Sequence, residues 1–213
     1  MVNATTHYAL SALKFAKLSV TMTARTHDLA AITALGIVFL VMPEQTMTLA
    51  TAIVAVFANL IGGITPDIDQ PTAPLWRNLP IGKYLGKIFD TLLGGHRFLT
   101  HSILGLALFG YLFHTLLIFL HPIMSSVNIG FVWWAFMIGM LSHLFMDTLT
   151  KEGVPWLLPI PIKLGLPPLK KWRITTGKWV ETLVVFPLLL VFNGWFYSTH
   201  YQQILYILHH RIV

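Results

Sequence analysis

Five apolar runs, set apart by polar segments, restrict this chain to a membrane-embedded helical bundle. They occupy residues 29–41, 47–64, 101–120, 129–149 and 179–196. A helix needs about 20 apolar residues to cross a bilayer, within a range of about 17–25. Four runs meet that length. The first, with 13 residues, must recruit flanking residues or enter the bilayer only partway. Charged residues make up 10% of the chain and hydrophobic ones 55%, whereas soluble domains carry roughly 25% charged residues. The expected fold is all-α: a polytopic bundle of about five membrane helices with additional interfacial, amphipathic helices.

The runs also set the domain plan. One embedded domain is expected over 25–197, with an N-terminal extension over 1–24 and a C-terminal tail over 198–213. The extension is mildly amphipathic, with Leu10, Leu13 and Leu18 beside Lys14 and Lys17. It lacks the apolar core of a signal peptide and reads as an interfacial helix or a tail. Met22 is an alternative start, because the recognisable pattern begins just after it. Between the runs, 65–100 is polar and rich in Pro and Gly, with an amphipathic helix expected over 81–93. Residues 150–179 are basic, contain five prolines and have no helix-length pattern.

Lys and Arg bias orients membrane proteins. With the N-terminus inside, every Lys and Arg except Arg211 falls on the inner side of the five spans. The formal charge of +6 is therefore a topology signal, and no nucleic-acid partner is expected. The partners implied are the lipid bilayer and a lipid or phosphate-ester substrate. Nothing in the sequence sets an oligomeric state.

The acids and histidines, which played no part in that count, fall on the same side. His27 starts the first span. Asp67 and Asp69, in PDID, follow the second. His96, Arg97, Thr100 and His101, in GHRFLTHS, lead into the third. His143 and Asp147 end the fourth, and Glu181 starts the fifth. Ionisable groups in membrane segments are costly and face a protein interior or wet cavity, which makes them functional candidates. His143 and Asp147, four residues apart, share one helix face. The chain has no cysteine, so a metal site here must use His and carboxylate ligands, suiting Zn, with Mn or Fe as alternatives, and one or two ions.

Within that set, metal ligation is expected from His27, Asp67, Asp69, His96, His101, His143 and Asp147. Asp67 and Asp69 point apart if extended. One should bind the ion while the other orients a histidine or serves a second ion; His96 and His101 pose the same choice. Arg97 is placed to clamp a phosphate oxygen with its forked donors, alongside Thr100 and Lys178 on the substrate side. Thr100 is also expected to cap the third helix. Asp69 and Glu181 are the candidate acid–base groups. Plainer roles stand beside these: a helix-end ion pair for His143 and Asp147, an Asp-rich turn for PDID, a cap for His27, and a Lys178 partner for Glu181. Asp28, Asp90 and Glu152 read as caps or solvated charges.

The blocks MTARTH around His27, PDID, GHRFLTHS, LSHLFMDTLTKEGVPWLLP and TGKWVE together resemble the YdjM-type family, described as LexA-binding and inner-membrane-associated, with an expected metal-dependent hydrolase activity. The resemblance runs from Met22 to about Glu181. It implies a bacterial inner-membrane location and a hydrolytic function. One departure is Phe98, where the family's HRGxTH pattern has glycine. The ligand order His, Asp, His, HxxxD is also similar to that of zinc-dependent phospholipase C enzymes, in which the HxxxD aspartate bridges two metals; by that likeness Asp147 is the bridging residue. HExxH and GxSG motifs are absent. The leading expectation is a metal-dependent hydrolase acting on a phosphate ester or phosphodiester at the cytoplasmic membrane edge. The alternatives are a metal-binding transporter and a non-enzymatic membrane protein with a structural metal.

Overall fold

The structure, a computed structural model, describes residues 24–41, 47–160 and 162–210. Among these, five helices are long and apolar enough to cross a membrane, and no strand is formed. The expected extension over 1–24 lies almost wholly outside the described residues. Helix α1 spans Ala24–Val41. The 13-residue first run thus reaches 18 residues by taking in Ala24 to Asp28. Its polar start is tolerated because Thr26 and His27 are buried against protein.

Helix α2 (Leu49–Ile64) starts at Thr48, whose hydroxyl accepts from Thr51 N at 3.1 Å. It runs directly into a 3₁₀ turn, Thr65–Asp69, where Pro66 removes a donor that a continuing α-helix would need. Two helices outside the spans follow, α3 (Pro74–Arg77) and α4 (Gly82–Leu92). Trp76 donates from Nε1 to Ile68 O at 3.0 Å and ties this pair to the 3₁₀ turn. Helix α5 (Ile103–Leu120) begins at Ser102, which accepts from Gly105 N at 3.0 Å. Helix α6 (Ile129–Thr148) begins at Asn128, which accepts from Gly130 N at 3.0 Å.

Helix α6 is central: 44% of its most apolar window is buried, against 11% for the last span. Its tightest partner is α2. A Cβ on Gly62 would sit 2.1 Å from Phe136 O, and one on Gly139 would sit 2.0 Å from Asn59 O. Only glycine permits backbones this close, and close approach is how helices associate where lipid offers no hydrophobic contrast. Asn59 Nδ2 donates across the same contact to Ala135 O at 3.0 Å. Phe113 of α5 stacks on Phe136 at 4.1 Å beside buried Val132 and Met140.

After α6 the basic, proline-rich segment 149–180 folds back beneath the helix end. Backbone pairs join Thr150 with Ile174 and Val154 with Leu164, and Leu166 N donates to Thr148 O at 2.8 Å. Helix α7 (Glu181–Thr199) opens with a π-helical turn, Glu181–Val185. It meets α1 where Asn193 Nδ2 donates to Thr33 Oγ1 at 2.7 Å. The expected tail contains α8 (Tyr201–His210), which returns to the bundle by packing Ile207 against Leu40 and Phe196.

Candidate metal centre

Four segments distant in sequence bring their polar groups to one end of the bundle. Helix α1 delivers His27 from its first turn, and the 3₁₀ turn after α2 delivers Asp67 and Asp69. The connection into α5 delivers His96 to His101, and the last turns of α6 deliver His143 and Asp147. His101 and Asp69 are fully buried, and His143, Asp147 and His27 nearly so.

Asp147 lies at the hub. Its Oδ2 is 3.1 Å from His101 Nε2 and 3.6 Å from His143 Nε2; its Oδ1 is 3.6 Å from His27 Nε2 and 2.8 Å from Arg97 Nη2. His143 Nε2 is also 3.7 Å from Asp67 Oδ1. His27 and His143 stack at 4.0 Å between ring centres. Two groups of possible ligand atoms, each within 4.8 Å, overlap at His143: His27, His143, Asp147 and Asp67, His101, His143.

Hydrogen bonds fix the ring tautomers. His143 Nδ1 lies 2.5 Å from Gly63 O. A carbonyl only accepts, so Nδ1 carries the proton and Nε2 turns a lone pair inward. For His101 the logic takes one more step. Thr100 Oγ1 lies against the Asp69 carboxylate, which only accepts, so the hydroxyl donates there. Its lone pair then faces His101 Nδ1 at 2.8 Å, and Nδ1 must donate to it. His101 Nε2, His143 Nε2 and Asp147 Oδ2 are buried and converge, with His101 Nε2 and His143 Nε2 at 3.1 and 3.6 Å from that oxygen.

Buried polar atoms are nearly always partnered, and a group converging on one point like this could hold a cation. Zinc bonds of about 2.0–2.2 Å in a tetrahedron separate ligand atoms by roughly 3.3–3.6 Å. The distances within the cluster fall close to that spacing. These buried His and Asp groups fit a divalent metal, and the Gly63 carbonyl behind His143 and the Thr100 hydroxyl behind His101 provide outer contacts of the kind metal-ligating histidines use. Burial pulls the His101 pKa down, but Asp147 and Asp69 outweigh it and push it up to about 9. In the metal-free chain a proton thus occupies the place a cation would take.

The remaining expected residues divide by contact. Asp67 lies on the Nε2 side of His143, whereas Asp69 lies behind His101, 3.7 Å from its Nδ1. Asp69 receives His96 Nδ1 at 2.9 Å, Arg97 N at 3.1 Å and the Thr100 hydroxyl. His96 sits outside the convergence point, against Asp69, with its side chain 31% exposed. Arg97, expected to meet a substrate phosphate, is buried and instead places Nη2 on Asp147 at 2.8 Å and Nη1 on Thr150 at 2.9 Å, with Glu152 Oε2 at 3.5 Å from Nη1. Thr100 does not cap α5. Ser102 does, because the Thr100 hydroxyl is drawn to Asp69. Phe98, where glycine was expected, does not prevent the turn. The left-handed residue is Arg97 itself, φ +57°, and the Phe98 ring lies over Gly94, where a Cβ would come within 2.5 Å of it.

Glu181 is buried and accepts from Gly177 N at 2.6 Å. With Thr26, His27, Thr150 and Thr176 it lines a cavity of about 20 Å³ against the cluster, room for about one water. Lys178 is exposed and outside that lining. Sequence reasoning missed Thr150, which accepts from Arg97 and donates to Asp147 O at 2.7 Å. It also missed the Gly63 carbonyl. Thr150 could have been found as the hydroxyl three residues beyond Asp147; a backbone oxygen leaves no sequence signal.

An all-helical bundle with five candidate spans and a buried His/Asp cluster at one end defines a class: polytopic membrane proteins with polar groups that could hold a metal ion gathered at the helix ends. Within it, the chain belongs to the YdjM inner membrane protein family, whose model matches residues 22–201. It is 31% identical over 140 residues to the uncharacterized protein YvsG of Bacillus subtilis (strain 168), covering 66% of this chain and 76% of that one. No solved structure matches it.

Proposed function

We propose that this protein is a metal-dependent hydrolase with its centre at the cytoplasmic edge of the inner membrane and its N-terminus in the cytoplasm. Its substrate is a phosphate ester or phosphodiester, with membrane lipid the nearest source. The observation that supports this is the convergence of the His101 and His143 Nε2 atoms on one oxygen of Asp147 in a buried cluster. Zinc suits those ligands best, with Mn or Fe as alternatives. His101, His143, Asp147, His27 and Asp67 would hold one or two ions. When bound, such an ion supplies a Lewis acid that acidifies water and neutralises charge at phosphorus.

The chain's own groups would do the rest. Asp69 orients His101 through Thr100 and steadies His96. Arg97 holds Asp147 in place, so it acts on the reaction through that carboxylate. Glu181, beside the small cavity, is placed to take a proton as water adds across a P–O bond and to return it to the leaving alcohol. Purified protein should contain about one or two equivalents of divalent metal and hydrolyse members of a phosphodiester and phospholipid panel. His143→Ala should lose both. Metal-free wild-type protein, or turnover unchanged in His143→Ala, would sink this reading.

One observation favours a second reading. The cluster is closed, and the cavity beside it admits about one water, which suits a structural ion. Stoichiometric metal, chelator-driven unfolding and no turnover on the panel would establish it. A transport role is disfavoured because the cluster sits at helix ends, while transport sites lie near the midplane.

A further inference from the structure

Helix α4 has three faces, and the fold accounts for two of them. Gly82 and Gly86 are buried, and Phe89 stacks on Trp76 at 5.3 Å, so one face lies on the anchor of the 3₁₀ turn. Lys83, Lys87 and Asp90 make a second, charged face. The third carries Ile81, Tyr84, Ile88 and Leu92, which recur every three or four residues and so form one stripe. They are 60%, 72%, 53% and 73% exposed. Four large apolar side chains in one exposed row are an interaction surface, not the scattered apolar residues of an ordinary water-facing helix.

The position of α4 narrows what can cover that stripe. It lies outside the spans, between the end of α2 and the start of α5, and both connections are tied to the buried cluster through Asp69 and Arg97. It is therefore held at the bundle's rim. The charged face presents two lysines beside the stripe, and its one acid, Asp90, lies on the side away from it. The segment that follows α6 repeats the chemistry at the same end of the bundle: Leu169 and Trp172 are exposed beside Lys170 and Lys171, with the Lys171 ammonium 5.8 Å from the Trp172 ring centre. An apolar stripe flanked by lysines is the pattern of a helix lying in the headgroup region of an anionic leaflet.

We propose that α4 is such an interfacial foot: its Ile81–Tyr84–Ile88–Leu92 stripe enters the acyl boundary of the leaflet on the cluster's side, and Lys83 and Lys87 engage anionic phospholipid headgroups. The foot thereby sets the depth of the two segments it joins, which carry Asp67 and Asp69 on one side and His96 to His101 on the other. This inference does not rest on the hydrolase reading, since a structural metal centre would be positioned in the same way.

The chain's lack of cysteine makes a direct test possible. A nitroxide is attached to Tyr84→Cys, Ile88→Cys or Lys83→Cys in full-length protein, reconstituted in nanodiscs of phosphatidylcholine with or without phosphatidylglycerol. With the anionic lipid, labels at 84 and 88 should relax with oxygen and resist an aqueous nickel chelate, while the label at 83 should do the reverse. Omitting phosphatidylglycerol should move the label at 88 toward water, as should Lys83→Gln or Lys87→Gln, by about fivefold in partition for each lysine. Equal nickel access at 83 and 88 overturns the proposal. So does spin–spin broadening between copies, which would make the stripe a dimer face, and so does a label at 88 shielded from both reagents. A depth at 88 that ignores both phosphatidylglycerol and the lysines overturns the headgroup contact. The metal content of each labelled protein is read separately, so loss of the cluster cannot be mistaken for loss of the foot.

Discussion

The two ends of the α1–α2–α6 assembly are packed in opposite ways. At the cluster end, backbones touch: Gly62 and Gly139 bring α2 onto α6, and a Cβ on Gly63 would meet that of Ala31 at 3.3 Å. The space left beside the polar groups is about 20 Å³. At the other end α2 and α6 stay joined, with Asn128 N donating to Thr51 Oγ1 at 2.9 Å, but a cavity of about 270 Å³ opens among α1, α2 and α6, lined by such residues as Leu35, Val38, Ala52, Ala55 and Phe131. The difference follows from the solvent. A polar group in a bilayer must find its partners within the protein, and an imperfect fit there leaves a charge or donor stranded. Apolar surface gains little by leaving lipid, which is equally apolar, so slack at the far end costs little.

The comparison is broken most severely at Asp147. Asp147→Ala would leave Arg97 Nη2 without its acceptor and three histidines without their shared carboxylate. Removing one partner of a buried pair costs about 3–5 kcal/mol. We expect loss of stoichiometric metal and a marked fall in the thermal midpoint in detergent, both measurable on one preparation. A variant that keeps its metal would show that Asp147 is not the hub.

The next effect is set by pH. The folded-state pKa of His101, about 9, lies above its ordinary value of about 6.5. In metal-free protein this proton adds stability in full below about pH 6.5, and that contribution is lost as pH rises through 9. A metal must displace the same proton, so its affinity moves the other way, tightening by about tenfold per pH unit across that window. Thermal midpoints in chelator should fall between pH 6.5 and 9 while the half-loading metal concentration falls too. A pH-independent affinity would remove His101 from the ligand set.

How much of this was legible in the sequence depends on range. The bilayer dictates long apolar runs, and these give the spans directly. Only the start of α1 escapes, because Thr26, His27 and Asp28 look like a loop until their burial against other helices is known. The gathering of the candidate residues at one rim follows from span ends alone. The choice among them does not. Asp67 and Asp69 do diverge, but on a 3₁₀ turn, where two residues advance about 240°, and only the fold says which one faces inward. Thr100 and Ser102 are both capping residues; Asp69, 31 residues from Thr100, decides between them. Arg97 reads as a substrate clamp because nothing nearby in sequence reveals Asp147, 50 residues on. The π turn that turns Glu181 inward leaves no pattern either.

Tight packing at the cluster end can be tested without touching a polar group. Gly139→Ala places a methyl 2.0 Å from Asn59 O, and backbone cannot yield as a flexible side chain would. Overpacking of this kind costs about 1–3 kcal/mol. Because α2 leads into the turn that carries Asp67 and α6 carries His143 and Asp147, separating them should also weaken metal binding. A chelator competition that finds wild-type affinity in a folded Gly139→Ala protein would uncouple helix spacing from the centre.

The smallest effect is expected at the far end, from an equally simple enlargement. Ala55→Leu adds apolar volume to the cavity of about 270 Å³ that Ala55 lines. There the added methyl groups meet space instead of backbone, and they replace whatever lipid or void occupies it. The thermal midpoint should move by the equivalent of less than about 1 kcal/mol in either direction, with metal content unchanged. If Ala55→Leu instead destabilised the protein as much as Gly139→Ala, the cavity would have to be a fitted space, and the slack attributed to the apolar end would be a specified feature of the fold.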